Sequence, residues 1–249
     1  MNLSPPADRV QAPLATPAVL DGILPSCVAS VERFDDAVAY DLFDVEERAI
    51  ARTVDARRRE FVTGRWCARR AMAKLGLPRV PIPVGHRGAP GWPAGVVGAI
   101  THCRDYRAAA VGRTREVLTI GIDAEPDLVL PDGVLDAVSL PSERRDLTEL
   151  ADRWPGTAWD RLMFSAKESV YKAWFPLARR WLDFDQARVR VRADSGSSGE
   201  FTAELLVPGP VVPGHGRLDG FTGRWAAGSG LVVTAIVVPA WTAGRMGSI

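Results

Sequence analysis

The chain has 249 residues, enough for one large domain or two small ones around a real buried core. Its 47% hydrophobic and 24% charged residues are ordinary for a soluble globular protein, and a net charge of +1 gives no bulk attraction to nucleic acid or to a membrane surface. No apolar stretch reaches the length of a membrane span, and Cys27, Cys67 and Cys103 are too few and too scattered for a disulfide framework, so the expected compartment is a reducing cytoplasm.

Met1-Asn2-Leu3-Ser4-Pro5-Pro6 lacks the charged and apolar regions of a secretory signal. Residues 1–30 read as extended coil with one short strand near Cys27–Ser30. Asp44-Val45-Glu46-Glu47 predicts a capping box with Asp44 at the N-cap, opening a helix that runs to about Thr53. A second helix is predicted over Asp55–Leu75, closed by Gly76 with Pro78 just beyond. Phe61, Gly64, Ala68, Ala71 and Leu75 recur at helical spacing and form its buried stripe, with Gly64 suggesting a close contact with another helix. The same helix carries Arg57, Arg58, Arg59, Arg65, Arg69 and Arg70, and Arg58, Arg65 and Arg69 share one side. Such a face is ordinarily solvated surface, the reading favoured by the residues alone, although guanidinium forks also suit phosphate.

Pro81–Gly95 is a loop rich in Gly and Pro, and the strands Val96–His102 and Arg107–Gly112 follow. A histidine at a strand end, such as His102, is more often structural than catalytic, and neighbouring strand residues point apart, which argues against a dyad of His102 with Cys103. Ile120-Gly121-Ile122-Asp123-Ala124-Glu125 reads as the end of a buried strand running into a polar pair. Alternation puts Asp123 and Glu125 on one face with Ala124 turned away. Two adjacent carboxylates repel, so the pair fits either a solvated strand end or a site for a hard cation such as Mg²⁺, which takes one or two carboxylates plus substrate phosphates.

After a Pro- and Asp-bearing linker, Pro126–Gly133, comes a helix-forming stretch around Ser142-Glu143-Arg144-Arg145. The clearest helix covers about Ala158–Phe175, with Trp159, Leu162, Met163, Ala166, Val170 and Trp174 on its apolar side and Arg161, Ser165, Glu168 and Lys172 opposite. Glu168 and Lys172, spaced i,i+4, could form an ordinary surface ion pair. Of the 31 basic residues only Lys74, Lys167 and Lys172 are lysines, and two of these lie in this helix, where a compact ammonium has a different use from a planar fork. Strands are predicted at Arg188–Arg192, Phe201–Val207, Phe221–Ala226 and Leu231–Val238, with 241–249 frayed. The sequence contains no Walker A loop, dinucleotide fingerprint, His-Glu-x-x-His, nucleophile elbow or internal repeat.

Three blocks in order, Gly98-Ala99-Ile100-Thr101-His102-Cys103, Ile120-Gly121-Ile122-Asp123-Ala124-Glu125 and Phe164-Ser165-Ala166-Lys167-Glu168-Ser169-Val170-Tyr171-Lys172, resemble the 4′-phosphopantetheinyl transferases of the Sfp type. The helix with Glu60-Phe61-Val62-Thr63-Gly64-Arg65 and the loop Arg87-Gly88-Ala89-Pro90 extend the likeness, which looks closest to actinobacterial members serving polyketide, peptide and siderophore synthases. The resemblance implies an α+β (α/β) fold of two similar subdomains in pseudo-twofold arrangement, each a helix on a small, largely antiparallel sheet, here 1–119 and 120–249, with coenzyme A between them. It implies transfer of the phosphopantetheine arm to a serine of an apo acyl or peptidyl carrier protein, releasing adenosine 3′,5′-bisphosphate, by a monomer that needs neither nucleic acid nor membrane.

The same resemblance assigns roles. Asp123, Glu125 and Glu168 would hold Mg²⁺, or Mn²⁺, against the diphosphate. Glu168 would take the serine proton, directly or through water, and Lys172 would stabilise the departing phosphate. Lys167 and His102 match positions that contact coenzyme A phosphates, and Arg57 and Arg65 match those that grip the 3′-phosphate. Arg87 is the nearest cation in the Gly-Pro loop, where Val84 stands in place of the lysine of some relatives. The competing readings are another Mg²⁺-dependent phosphotransferase or phosphohydrolase, a non-catalytic binding module for coenzyme A or carrier protein, and the short trimeric synthase type, for which the chain is about twice too long.

Overall fold

The structure is a computed structural model that describes residues 18–36 and 40–240. The predicted N-terminal coil therefore lies largely, and the frayed end wholly, outside the described residues. Strand β1 (Val28–Arg33), helices α1 (Asp44–Ile50) and α2 (Asp55–Lys74), and strands β2 (Val96–Cys103) and β3 (Tyr106–Arg113) make the first half. The second half runs through β4 (Val117–Pro126), α3 (Val134–Val138), α4 (Pro141–Arg153), α5 (Trp159–Ala178), β5 (Ala187–Ser195), β6 (Ser198–Leu205), the small pair β7 (Val211–Val212) and β8 (Gly216–Arg217), β9 (Gly220–Gly228) and β10 (Leu231–Pro239).

The strands form a three-stranded sheet, β1-β3-β2, and a five-stranded sheet, β4-β10-β9-β6-β5, each with antiparallel neighbours throughout. Each carries one 20-residue helix. On the first, Cys67, Ala68, Ala71 and Met72 of α2 bury against Ala109 and Val111 of β3. A Cβ added at Gly64 would come 3.1 Å from Ile100 Cγ2, so the close contact expected there is made with β2 and not with a helix. On the second, all six predicted apolar residues of α5 are buried, and Trp159 meets Trp225 of β9 edge to face at 5.2 Å. A third cluster joins the halves, with Tyr106, Ala108 and Ala110 against Ile120, Ile122 and Ala124 of β4. A division between residues 119 and 120 falls inside β4.

Two expectations about the arginine helix and its neighbour change. The N-cap of α1 is Phe43, one residue earlier than predicted, and Glu46 is the residue that caps its backbone N–H, at 3.0 Å. Arg65 and Arg69 are not on a solvated face: both are buried, and Arg69 forms a hydrogen-bonded pair with fully buried Glu46. Loop 79–82 covers that side of α2, with Val80 and Ile82 carbonyls accepting from Arg69 and Arg65. Helix α5 runs past Phe175 through Pro176 to Ala178 and closes at Arg179, whose φ is +52°.

Candidate active site

Alternation along β4 sends Ile120, Ile122 and Ala124 into the core between the halves and leaves Thr119, Gly121, Asp123 and Glu125 toward α5. Gly121 is what lets the two elements close up: a Cβ there would stand 2.0 Å from the Ser169 carbonyl oxygen. One turn along α5, Lys172 Nζ donates to Asp123 Oδ1 at 2.7 Å and lies 3.4 Å from Thr101 Oγ1 of β2. Thr101 Oγ1 also donates to Asp123 Oδ1 at 3.1 Å and accepts from Ala124 N at 3.2 Å. Lys172 is thus partnered by Asp123 across the two elements, not by Glu168 one turn before it.

Glu168 is half-buried and shares with Lys172 the wall of a cleft of 540 Å³. The far wall is β2 and the loop through Arg87, and Tyr171 and Phe175 are among the other residues that line it. Burial raises the pKa of Glu168, opposed by the Lys172 charge and reinforced by that of Asp123. Glu125 is pushed up to about 7, first by burial and then by Asp123, although Arg161 Nη1 donates to its Oε2 at 3.2 Å. Asp123 Oδ2 is buried without a hydrogen-bond partner among the described residues. An orphaned carboxylate oxygen beside two acids that resist ionisation is a donor set with room for a hard cation. Among the described residues no three His, Cys, Asp or Glu side chains are grouped so that they could hold a metal ion together, so a cation beside Asp123 would start from one or two carboxylates and draw further oxygens from substrate or water.

The basic residues divide. His102 and Arg57 meet, with Arg57 Nη1 2.6 Å from His102 Nε2, and both are accessible. Burial is the main cause of a lowered His102 pKa. Arg87 lines the cleft, its guanidinium 5.4 Å from the centre of the Trp181 ring. Arg65 is turned inward: its Nε donates to the Ile82 carbonyl at 2.8 Å, its guanidinium lies over Phe61, and burial lowers its pKa to about 10. Lys167 departs furthest from expectation. Its ammonium is bound to Glu143 at 2.9 Å and to the carbonyls of Phe184 and Ala187 at 2.7 and 2.6 Å, and the side chain is 2% exposed. Three acceptors satisfy all three N–H groups, which leaves none for a phosphate.

Thr101 and the Arg161 partner of Glu125 carried no role in the sequence reading. Arg161 lies two turns before Glu168 on the face already read as polar, so its spacing held the signal; for Thr101 only the adjacent His102 hinted at a site.

Comparison with known proteins identifies the family. Residues 45–112 match the family described as 4′-phosphopantetheinyl transferase N-terminal domain, and residues 119–208 match the 4′-phosphopantetheinyl transferase superfamily. The 4′-phosphopantetheinyl transferase Svp of Streptomyces mobaraensis is 56% identical over 90% of this chain and 92% of its own length. The transferase Npt of Nocardia iowensis is 47% identical over 88% of this chain and 99% of its own. PptT of Mycobacterium tuberculosis is 46% identical over 87% and 96%. With both halves matched and identity sustained along most of its length, the chain belongs to the 4′-phosphopantetheinyl transferases, enzymes that move phosphopantetheine from coenzyme A to carrier proteins.

Proposed function

We propose that the chain modifies the apo acyl and peptidyl carrier domains of polyketide, peptide and siderophore synthases, using Asp123, Glu125, Glu168 and Lys172 as its reacting centre. The observation that carries this reading is the Lys172–Asp123 pair at 2.7 Å, whose lysine shares the wall of one cleft with Glu168. The carrier serine oxygen attacks the phosphorus that bears the pantetheine arm. Its proton passes to Glu168, a cleft-lining carboxylate whose pKa burial raises and which therefore holds a proton better than an ordinary surface acid. The bond to the adenosine-side phosphate breaks, and the Lys172 ammonium stabilises and can protonate the departing oxygen. Asp123, Glu125 and Glu168 are the residues that would hold Mg²⁺, or Mn²⁺, which supplies charge neutralisation on the diphosphate. Arg57, His102 and Arg87 would bind coenzyme A phosphates, while Lys167, bonded to Glu143, Phe184 and Ala187, and Arg65, bonded to Ile82, take structural roles in this reading.

No described helix is long and apolar enough to cross a membrane. Independently of that, we propose that the protein works as a cytoplasmic monomer of two subdomains.

Intact mass spectrometry of an apo carrier protein incubated with the chain, coenzyme A and Mg²⁺ tests the reading. A gain of one phosphopantetheine arm, abolished by EDTA, is the expected result. No gain on either acyl or peptidyl carriers, with coenzyme A still bound, would replace it with a binding role.

A further inference from the structure

Glu60 stands on α2 one turn beyond Arg57. Its Oε2 accepts from Arg57 Nη1 at 3.1 Å and lies 3.6 Å from His102 Nδ1. Arg57 Nη1 is in turn 2.6 Å from His102 Nε2, so three side chains from two elements close a triangle. The acid is the innermost member: the side chains of Arg57, His102 and Glu60 are 54%, 38% and 26% exposed. Because Nε2 accepts from a guanidinium, the proton of the neutral imidazole sits on Nδ1, the nitrogen that faces Glu60.

We propose that Glu60 is a positioning residue, holding Arg57 and His102 together as a clasp for the phosphomonoester end of coenzyme A and allowing His102 to take up a proton when that phosphate arrives. This rests on the reading of Arg57 and His102 as coenzyme A contacts. The charged groups facing His102 are Arg57 and Glu60 from α2, Arg107 from β3 and Lys172 from α5. Burial and the three cations disfavour imidazolium, and Glu60 favours it. A doubly charged phosphate acts in the same direction as Glu60, so ligand and acid together carry His102 into its charged, doubly donating form. An ordinary i,i+3 surface pair makes the opposite forecast, because removing an acid beside Arg57 would strengthen anion binding.

The test compares wild type with Glu60→Gln and Glu60→Asp on coenzyme A and on 3′-dephospho-coenzyme A, with saturating carrier, from about pH 5.5 to 8.5. In Glu60→Gln the KM for coenzyme A should rise about tenfold, with kcat within about twofold, the pattern of a lost ground-state contact. The pH at which that KM begins to climb should move down, since imidazolium is lost sooner without Glu60. Glu60→Asp, which keeps the charge at shorter reach, should restore part of that shift. With the dephospho substrate the variants and wild type should agree. An unchanged or lower KM for coenzyme A in Glu60→Gln, or an equal loss on both substrates, would overturn the proposal. If wild type itself fails to discriminate the two substrates, the parent reading of Arg57 falls, and the role of Glu60 falls with it.

Discussion

Glu46 and Glu143 occupy the same station in the two halves of the chain. Each is the third residue of a helix, α1 or α4, and each is buried. One oxygen of each accepts the N-cap backbone N–H, from Phe43 at 3.0 Å and from Leu140 at 2.6 Å. The other accepts a backbone N–H from a later segment, Ile82 at 2.8 Å and Val189 at 2.6 Å. Each carboxylate then binds a buried cation on the long helix, Arg69 or Lys167, and that cation donates onward to backbone carbonyls. One device thus anchors α2 and α5 to the helix before and the chain after.

Lys167→Met should therefore act on stability and not on coenzyme A. It leaves Glu143 charged, buried and short of a partner, a change that costs about 3–5 kcal/mol. Denaturant unfolding should give a loss of that size, smaller once Glu143→Gln is added. Among molecules that remain folded, the KM for coenzyme A should be that of wild type. A raised KM with stability intact would return Lys167 to the phosphate site.

The repeated device explains what was and was not legible in the sequence. Helices α2 and α5 announced themselves because their apolar residues recur at 3.6-residue spacing, and β4 because its alternation is clean. Spacing along one element put Asp123 with Glu125 on one face of β4 and Glu168 with Lys172 on one face of α5; only the family resemblance joined the two pairs into one site. Pairing between elements was not. Nothing local says that Lys172 turns to Asp123, that Arg69 and Lys167 are interior, or that Phe43 and Leu140 begin helices whose caps come from the third residue. The internal correspondence stayed hidden because its two copies use Arg and Lys, Phe and Leu, in the same places. A buried cation and a surface cation look alike in a string of letters; only the partner distinguishes them.

Glu168→Gln keeps the shape of the cleft and removes the proton acceptor. Single-turnover transfer to a carrier should fall by about 10²–10⁴. Coenzyme A affinity, measured by calorimetry in EDTA so that the metal plays no part, should change little, since Arg57, His102 and Arg87 are untouched. Transfer within a few-fold of wild type would assign the base elsewhere, with water held by Asp123 or Glu125 the next candidate.

Gly121→Ala should damage the site without touching a polar group. The new methyl would meet Ser169 O at 2.0 Å and Ala173 N at 2.8 Å, both backbone atoms that cannot rotate away. Strand β4 must then move off α5, and Asp123, two residues on, moves with it from Lys172. We expect a loss of about 1–3 kcal/mol in stability, as for overpacking elsewhere, together with a fall in kcat larger than the fraction unfolded explains. Gly121→Ala with wild-type kcat would mean that the strand and helix can separate without disturbing the pair.

The pH dependence follows from Glu125, whose folded pKa is pushed from 4.5 to about 7 by burial and by Asp123. In the unfolded chain the group ionises near its ordinary value, so between pH 4.5 and about 7 the folded state holds the extra proton. The metal-free protein should then be most favoured by this group below pH 4.5 and should lose that contribution as pH rises to about 7, with no further change from it above. A cation held by Glu125 needs the ionised carboxylate, so added Mg²⁺ should offset the loss. Melting temperatures in EDTA and in Mg²⁺, followed from pH 5 to 8.5, should diverge as pH rises and run parallel above about 7. Glu125→Gln should flatten the EDTA curve and shrink the divergence. Parallel curves across the whole range would separate Glu125 from the metal and leave its raised pKa a consequence of burial beside Asp123 alone.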